Sequence, residues 1–312
     1  MHVRLPVCFV VMDEHTKQRI AKQHVMADKL LGLDAVPCDL SKAVVSTLMQ
    51  GGVGAARSVI GQGGAVMGTH GVGDGMADMT RGGVKAPPLP NVSRSQPVQR
   101  NTRVVTELKA VEPLVCENLN VDEKVIQLRV MYEDEVKECK KCPLGNGRIN
   151  AVFGEGKANA DVMFVGEGPG YHEDVQGRPF VGRSGELLDK QIAAMGLTRD
   201  EIYIANVVKC RPPNNRTPVI TEVEACRHYL QRQIAIIQPK VIITLGGPAA
   251  KLLLNTKEGI TRLRGMWHEY HGVKPAIPVM PTFHPAYLLR QYTRDNRIKV
   301  WSDLKEAMTK VM

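Results

Sequence analysis

Three stretches of the chain gather polar and aromatic side chains where the pattern places the ends of strands. The first, GEGPGYHEDVQGRPFVGRSG (166–185), combines glycines with carboxylates at Glu167, Glu173 and Asp174 and an aromatic face at Phe180. Glycine lets backbone approach a ligand closely, and Pro169 stiffens the turn. A phosphate loop would need a Walker lysine, which is missing, and acid beside phosphate would repel it. The second stretch, NVVKCRPPNNR (206–216), offers an amide at Asn206, a thiol at Cys210 and guanidinium groups at Arg211 and Arg216. The third, TFHPAYLLR (282–290), sets His284 before a proline turn. A single histidine is more often structural than catalytic. Three polar strand ends meeting in one crevice make a site.

The elements that position them alternate between strand and helix. Asp122–Glu138 is charged and helical in period. Apolar runs at 160–166, 201–208, 240–246 and 276–283 read as strands, and Gly185–Met195, Thr221–Ile237, a short stretch through Leu254 and Ile298–Val311 as helices. Short apolar strands separated by helices predict a parallel sheet covered on both faces, with ligands at the carboxyl ends of the strands. The expected fold is α/β, a three-layer α/β/α sandwich around a central, mainly parallel sheet of four strands. Upstream, 1–50 reads as an N-terminal segment with helical stretches at 16–31 and 40–49, and 51–120 as a Gly/Pro-rich flexible linker with too little apolar surface to offset the entropy of ordering it. The folded domain is then 121–312.

A formal charge of +9 suits a polyanionic partner, although many soluble proteins are mildly basic. No apolar run approaches the ~18 residues of a membrane span, and the opening stretch is too brief for a signal peptide, so a cytoplasmic protein is expected, nucleoid-associated if prokaryotic. In that reducing setting, seven cysteines argue against a disulfide framework and for metal ligation by some of them.

Taken together, GEGPG-x-x-ED-x-x-GRPFVG, YIANVVKCRPPNNRTP and TFHPAYLLR resemble the motifs of family 4 uracil-DNA glycosylases, the iron–sulfur branch of that superfamily. The likeness runs from about Cys139 to Asp303, and residues 1–120 take no part in it. It implies a monofunctional, monomeric enzyme that flips uracil out of single- or double-stranded DNA and hydrolyses its N-glycosidic bond; residues 1–120, outside the likeness, read as an arm for a repair or replication partner or as a small extra domain. It also implies that Cys139, Cys142, Cys210 and Cys226 hold a [4Fe–4S] cluster. A structural zinc or unrelated buried cysteines are the alternatives, although a zinc ribbon would show a second C-x-x-C. Cys8, Cys38 and Cys116 lie outside the motifs and read as free thiols.

The same resemblance assigns roles. Phe180 supplies a flat face, and the Asn206 amide complements uracil N3–H and O4. His284 bonds O2 as charge grows on the leaving base, and Glu173 sits near C5 and excludes thymine. Glu167 positions water or shapes the pocket. Gly168 aligns with the water-orienting aspartate of family 1, which leaves the general base unassigned. Leu288, four residues beyond His284, suits either a wedge in the DNA stack or a core position. Arg211, Arg216 and Arg290 suit phosphates or plain surface. No lysine stands where a lyase nucleophile would. The rival readings are a non-catalytic DNA-binding or polymerase-associated module on the same scaffold, and a nucleotide-binding α/β protein.

Overall fold

The computed structural model describes residues 111–311. The helices expected at 16–31 and 40–49, and the linker as far as residue 110, lie outside the described residues.

Six strands form the main sheet: β2 (Glu155–Gly156), β3 (Val162–Gly166), β4 (Tyr203–Asn206), β5 (Val241–Leu245), β6 (His268–Tyr270) and β8 (Ile277–Thr282), in the order β2-β4-β3-β5-β8-β6. The four expected strands are its centre, and all are parallel to one another. The count of four is corrected to six, because β2 and β6 add antiparallel edges. A second correction concerns the segment 111–120, placed in the linker from composition. It carries β1 (Leu114–Val115), which pairs in parallel with β7 (Val273–Lys274).

Alternation along the strands divides the core between the two faces. Val162, Phe164, Ile204, Ile243 and Met280 face one way, against α4 (Arg183–Ala194), α8 (Pro285–Arg290) and α9 (Arg294–Met308). Met163, Val165, Tyr203, Ile242 and Val279 face the other, against α1 (Val121–Val130), α5 (Ile220–Ile237) and α6 (Gly247–Leu254). Each large apolar side chain buried this way contributes about 1.5–3 kcal/mol. Three shorter helices complete the set: α2 (Leu144–Gly147), α3 (Tyr171–Gln176) and α7 (Ile260–Leu263).

Helix boundaries have local causes. Asn120 caps α1, its Oδ1 accepting from the Glu123 N–H at 3.0 Å while Glu123 reaches back to the Asn120 N–H at 2.8 Å. The expected helix 122–138 is α-helical to Val130 and continues as a π-helical turn over Met131–Val136. At α8, Pro285 occupies the first turn, where its missing N–H costs nothing. Because β3, β4, β5 and β8 run in parallel, the ends marked by Gly166, Asn206, Leu245 and Thr282 lie along one edge of the sheet, with Gly166 beside Asn206 in register.

Candidate active site

A cavity of about 650 Å³ opens over that edge. Phe180, Asn206 and His284, contributed by three separate stretches of chain, all line it, together with Glu167, Gly168, Glu173, Arg216 and Arg290.

Its floor depends on an absent side chain. A Cβ on Gly166 would stand 2.4 Å from Asn206 Oδ1 and 2.7 Å from Phe180 Cζ, so only glycine lets amide and ring meet there. Asn206 is buried, and its Oδ1 has no hydrogen-bond partner. An unsatisfied buried acceptor costs about 1–3 kcal/mol, which a ligand N–H would recover. Phe180 takes a left-handed backbone, φ +52°, unusual for a bulky residue. The conformation is held from outside: Arg199 Nη1 donates to the Phe180 carbonyl at 3.2 Å, and Nη2 to that of Pro179. Arg199 is itself fixed by Glu155 and by Asp189 at 2.7 Å.

The Phe180 and His284 rings lie 5.6 Å apart, inclined by 29°. His284 caps α8, its Nδ1 accepting from the Ala286 N–H at 3.0 Å. With Nδ1 an acceptor, the neutral ring carries its proton on Nε2, which is left as its free donor. Burial pushes the His284 pKa down to about 4; the Arg290 charge helps and Glu173 opposes. The group is therefore a neutral donor near pH 7. Gly246, at φ +90°, lies against it, a Cβ there standing 3.0 Å from His284 Cβ.

Glu173 is buried, and its carboxylate accepts three backbone N–H groups: Gly170 at 3.1 Å, Val181 at 3.0 Å and Gly182 at 3.2 Å. It thus stitches both limbs of the loop that carries Phe180. Burial pushes the Glu167 carboxyl above its usual range, opposed by a hydrogen bond with Thr217. At Gly168 a Cβ would meet Val208 Cγ2 at 2.7 Å, so the fold leaves no room for an aspartate at this position without a shift.

The expected DNA contacts divide. Leu288 is 2% exposed and belongs to the same core as Phe180, Leu187 and Trp301, which favours the core alternative over the wedge; its outward neighbour is Leu289. The helical turn explains this, since Ala286, Tyr287 and Arg290 line the cavity and the position between them points inward. Arg290 is exposed at the rim. Arg216 also lines the cavity, but its guanidinium is engaged with buried Glu222 at 2.7 and 2.9 Å. Arg211 lies outside the lining, over the Tyr171 ring at 5.0 Å and bonded to Asn215.

The four motif cysteines form a second group. Cys139 and Cys142 are half-buried, Cys210 and Cys226 buried. Burial pushes the Cys210 thiol up, Arg148 opposes this, and charge on Cys142 and Cys139 adds to it; Cys226 is pushed up to about 12, also by burial first. Cys210 thus lies within electrostatic reach of Cys139 and Cys142, and Cys226 within reach of Cys210 and Cys142. Each of three sulfurs has a polar neighbour: Arg148 Nη1 at 2.9 Å from Cys210, the Lys209 N–H at 3.3 Å from Cys226, and the Tyr229 hydroxyl at 3.5 Å from Cys139. Among the described residues no three Cys, His, Asp or Glu side chains close tightly enough on a single ion. A tetrahedral zinc draws its thiolates to ~2.3 Å from one centre, whereas a four-iron cluster takes one thiolate at each of four separate irons. Four thiols are a donor set that fits a four-iron cluster, one thiolate to each iron.

Three supporting residues had escaped the sequence reading: Arg199, Arg148 and Lys209. Lys209 is fully buried, its Nζ donating to the Asn206 carbonyl at 2.9 Å and to Gln233 Oε1 at 2.5 Å, and burial lowers its pKa to about 8. It joins the strand end that carries Asn206 to the helix that carries Cys226. Its place between an amide and a cysteine in the second motif was the one available signal. Arg148 and Arg199 act through partners 62 and 19 residues away, and no local pattern marks them.

Residues 153–305 match the model of the uracil DNA glycosylase superfamily. The chain is 47% identical to the type-4 uracil-DNA glycosylase of Thermotoga maritima over 182 residues, 58% of this chain and 93% of that protein. It is 49% identical to the type-4 enzyme of Sulfurisphaera tokodaii over 162 residues (50% and 74%) and 48% identical to that of Saccharolobus solfataricus over 164 (51% and 76%). Such identity across nearly the whole of one relative, over the segment that builds this cavity, places the chain among the type-4 uracil-DNA glycosylases.

Proposed function

We propose that the chain excises uracil from DNA by hydrolysing its N-glycosidic bond, leaving an abasic site. The observation that carries this reading is the convergence of the Phe180 ring, the unpartnered Asn206 Oδ1 and the Nε2–H of His284 on one cavity. Uracil in a duplex is stacked and paired, so it must be flipped out to reach them. The ring of Phe180 stacks on the base, Asn206 Oδ1 accepts from N3–H, and its amide NH₂ donates to O4. Cytosine reverses both groups, and a mismatched base leaves buried polar atoms unsatisfied. As the C1′–N1 bond breaks, its electron pair moves onto the base and charge gathers at O2, where His284 donates. A fixed neutral donor of this kind stabilises the developing anion without being reorganised.

Water then adds to C1′ and gives up a proton to solvent, while the departed uracil anion takes one up, so the sum is hydrolysis to an abasic site and free uracil. Glu167, raised by burial, and the backbone around Gly168 are the groups placed to orient it. Glu173 excludes thymine by holding the loop walls closed around C5. No lysine lines the cavity among the described residues. Cys139, Cys142, Cys210 and Cys226 would hold a [4Fe–4S] cluster that pins the segment before α2 to the loop after β4 and to α5, a structural task. Among the described residues no helix is long and apolar enough to cross a membrane.

The test is release of free uracil from single-stranded and U:G oligonucleotides by cluster-loaded protein, with thymine-containing strands as control. Intact uracil strands would overturn the reading and favour a non-catalytic DNA-binding module.

Two further expectations follow from the site. In a Glu167→Gln background, which removes the other carboxyl that burial raises in the site, the rate of release should hold from pH 8 to about pH 5 and fall only as pH nears 4, because protonating Nδ1 ejects the Ala286 N–H bond and burial opposes it. A limb near the ordinary histidine pKa of about 6.5 would mean that the imidazole is solvated. Replacing Cys226 with serine should abolish the broad absorption near roughly 400 nm of anaerobically purified protein and lower its thermal midpoint, whereas a colourless parent would remove the cluster from the account.

A further inference from the structure

Two aromatic rings remain that the cavity does not use. Among the described Phe, Tyr and Trp residues only Tyr171 and Tyr292 are exposed, at 53% and 52%. Each has an arginine over its ring: Arg211 at 5.0 Å from the centroid of Tyr171, and Arg297 at 4.9 Å from that of Tyr292. Both adjoin the cavity mouth. Tyr171 follows Gly170, which lines it, and Arg211 bonds Asn215, which also lines it. Tyr292 lies two residues beyond Arg290, which lines the cavity at the end of α8. The sheet order fixes their separation in kind: one pair follows β3 and β4, the other follows β8, and β5 runs between them. Two interstrand steps separate β3 from β8, about 10 Å.

An exposed ring is an apolar surface left in water, and a solvated surface would be expected to carry few. An arginine stacked on such a ring holds it still and adds positive charge beside it, which together suit a nucleobase with its phosphate. Base–aromatic stacking tolerates any sequence, because every base has a flat face. The pairs also follow strand ends on either side of β5, at the sheet edge over which the cavity opens.

We propose that Tyr171 with Arg211, and Tyr292 with Arg297, are stacking platforms for the unpaired bases on either side of the extruded uracil, so that this chain grips single-stranded DNA through its neighbours as well as its target. The inference rests on the uracil-releasing reading. In a duplex the flanking bases are already stacked and paired, so the platforms act chiefly on single strands.

The experiment measures kcat/KM for uracil release by the full, cluster-loaded chain. Its substrates are single-stranded oligonucleotides with one deoxyuridine, the flanking nucleotides intact or replaced one at a time by abasic ones, and a U:G duplex. Tyr171→Ala and Tyr292→Ala should each lower the value on intact single strands by roughly 5- to 100-fold, with less change on the duplex and an unaltered unfolding midpoint. Tyr171→Phe and Tyr292→Phe should retain the parent value. An abasic flank should weaken the parent similarly, and each alanine variant should lose nothing more on the strand lacking its own base. Alanine variants within twofold of the parent on single strands would overturn the proposal, as would a loss that persists on abasic flanks. A parent that releases no uracil would instead overturn the function itself.

Discussion

His284→Ala should slow uracil release by roughly 10²- to 10³-fold in kcat, with a much smaller change in KM. The asymmetry follows from when the bond matters. O2 of an intact nucleotide is a weak acceptor, and it becomes a strong one only as the glycosidic electrons arrive. A donor placed for that moment contributes to the transition state more than to binding. The geometry supports the timing, because Nδ1 is occupied by the Ala286 N–H and burial keeps the ring neutral, so Nε2–H stays available as a donor across the physiological range. Removing the side chain also removes the ring that stacks on Phe180 at 5.6 Å, so His284→Gln is the sharper companion, with an amide donor partly replacing the imidazole. Single-turnover quench of a uracil-containing single strand measures both. An equal rise in KM with kcat untouched would assign His284 to binding alone.

Asn206→Asp should cost more, on the order of 10³-fold or greater in kcat/KM for uracil. The exchange keeps shape and volume but replaces a donor with an acceptor, so uracil O4 meets a carboxylate oxygen at a buried position. Burial makes the difference large: Asn206 is 2% exposed, and Oδ1 has no partner of its own. An exposed amide would cost a few-fold, because water would substitute. Steady-state kinetics, with unfolding followed in parallel, separate loss of recognition from loss of fold. Activity within tenfold of the parent would move the base-reading role away from this strand end.

His284 and Asn206 could be found from sequence because each sits at the end of an apolar run whose length and composition already mark a strand, whereas Phe180, in the loop between α3 and α4, was legible only through its motif. The four central strands share that advantage, since burial on both faces makes them near-continuous in Val, Ile and Met. The edge strands do not share it. Glu155–Gly156 and His268–Tyr270 are two and three residues long, polar, and defined by their neighbours rather than by their own pattern. β1 was lost in a Pro-containing stretch for the same reason, as its two residues pair with a strand some 160 positions later. Leu288 shows a different failure. Spacing from His284 fixes its sequence offset but not which way a six-residue helix turns, and the turn carries it into the core. The supports of the site were hidden most deeply. The left-handed backbone of Phe180 depends on Arg199, and the Asn206 strand end on Lys209, through contacts that only the folded chain brings about.

The most direct measurement is a crystal structure of the cluster-loaded chain with free uracil bound. The account predicts the pyrimidine on the Phe180 ring, its N3–H on Asn206 Oδ1 and its O2 on His284 Nε2. Uracil bound elsewhere, or in this cavity with its N3 edge turned away from Asn206, would contradict it.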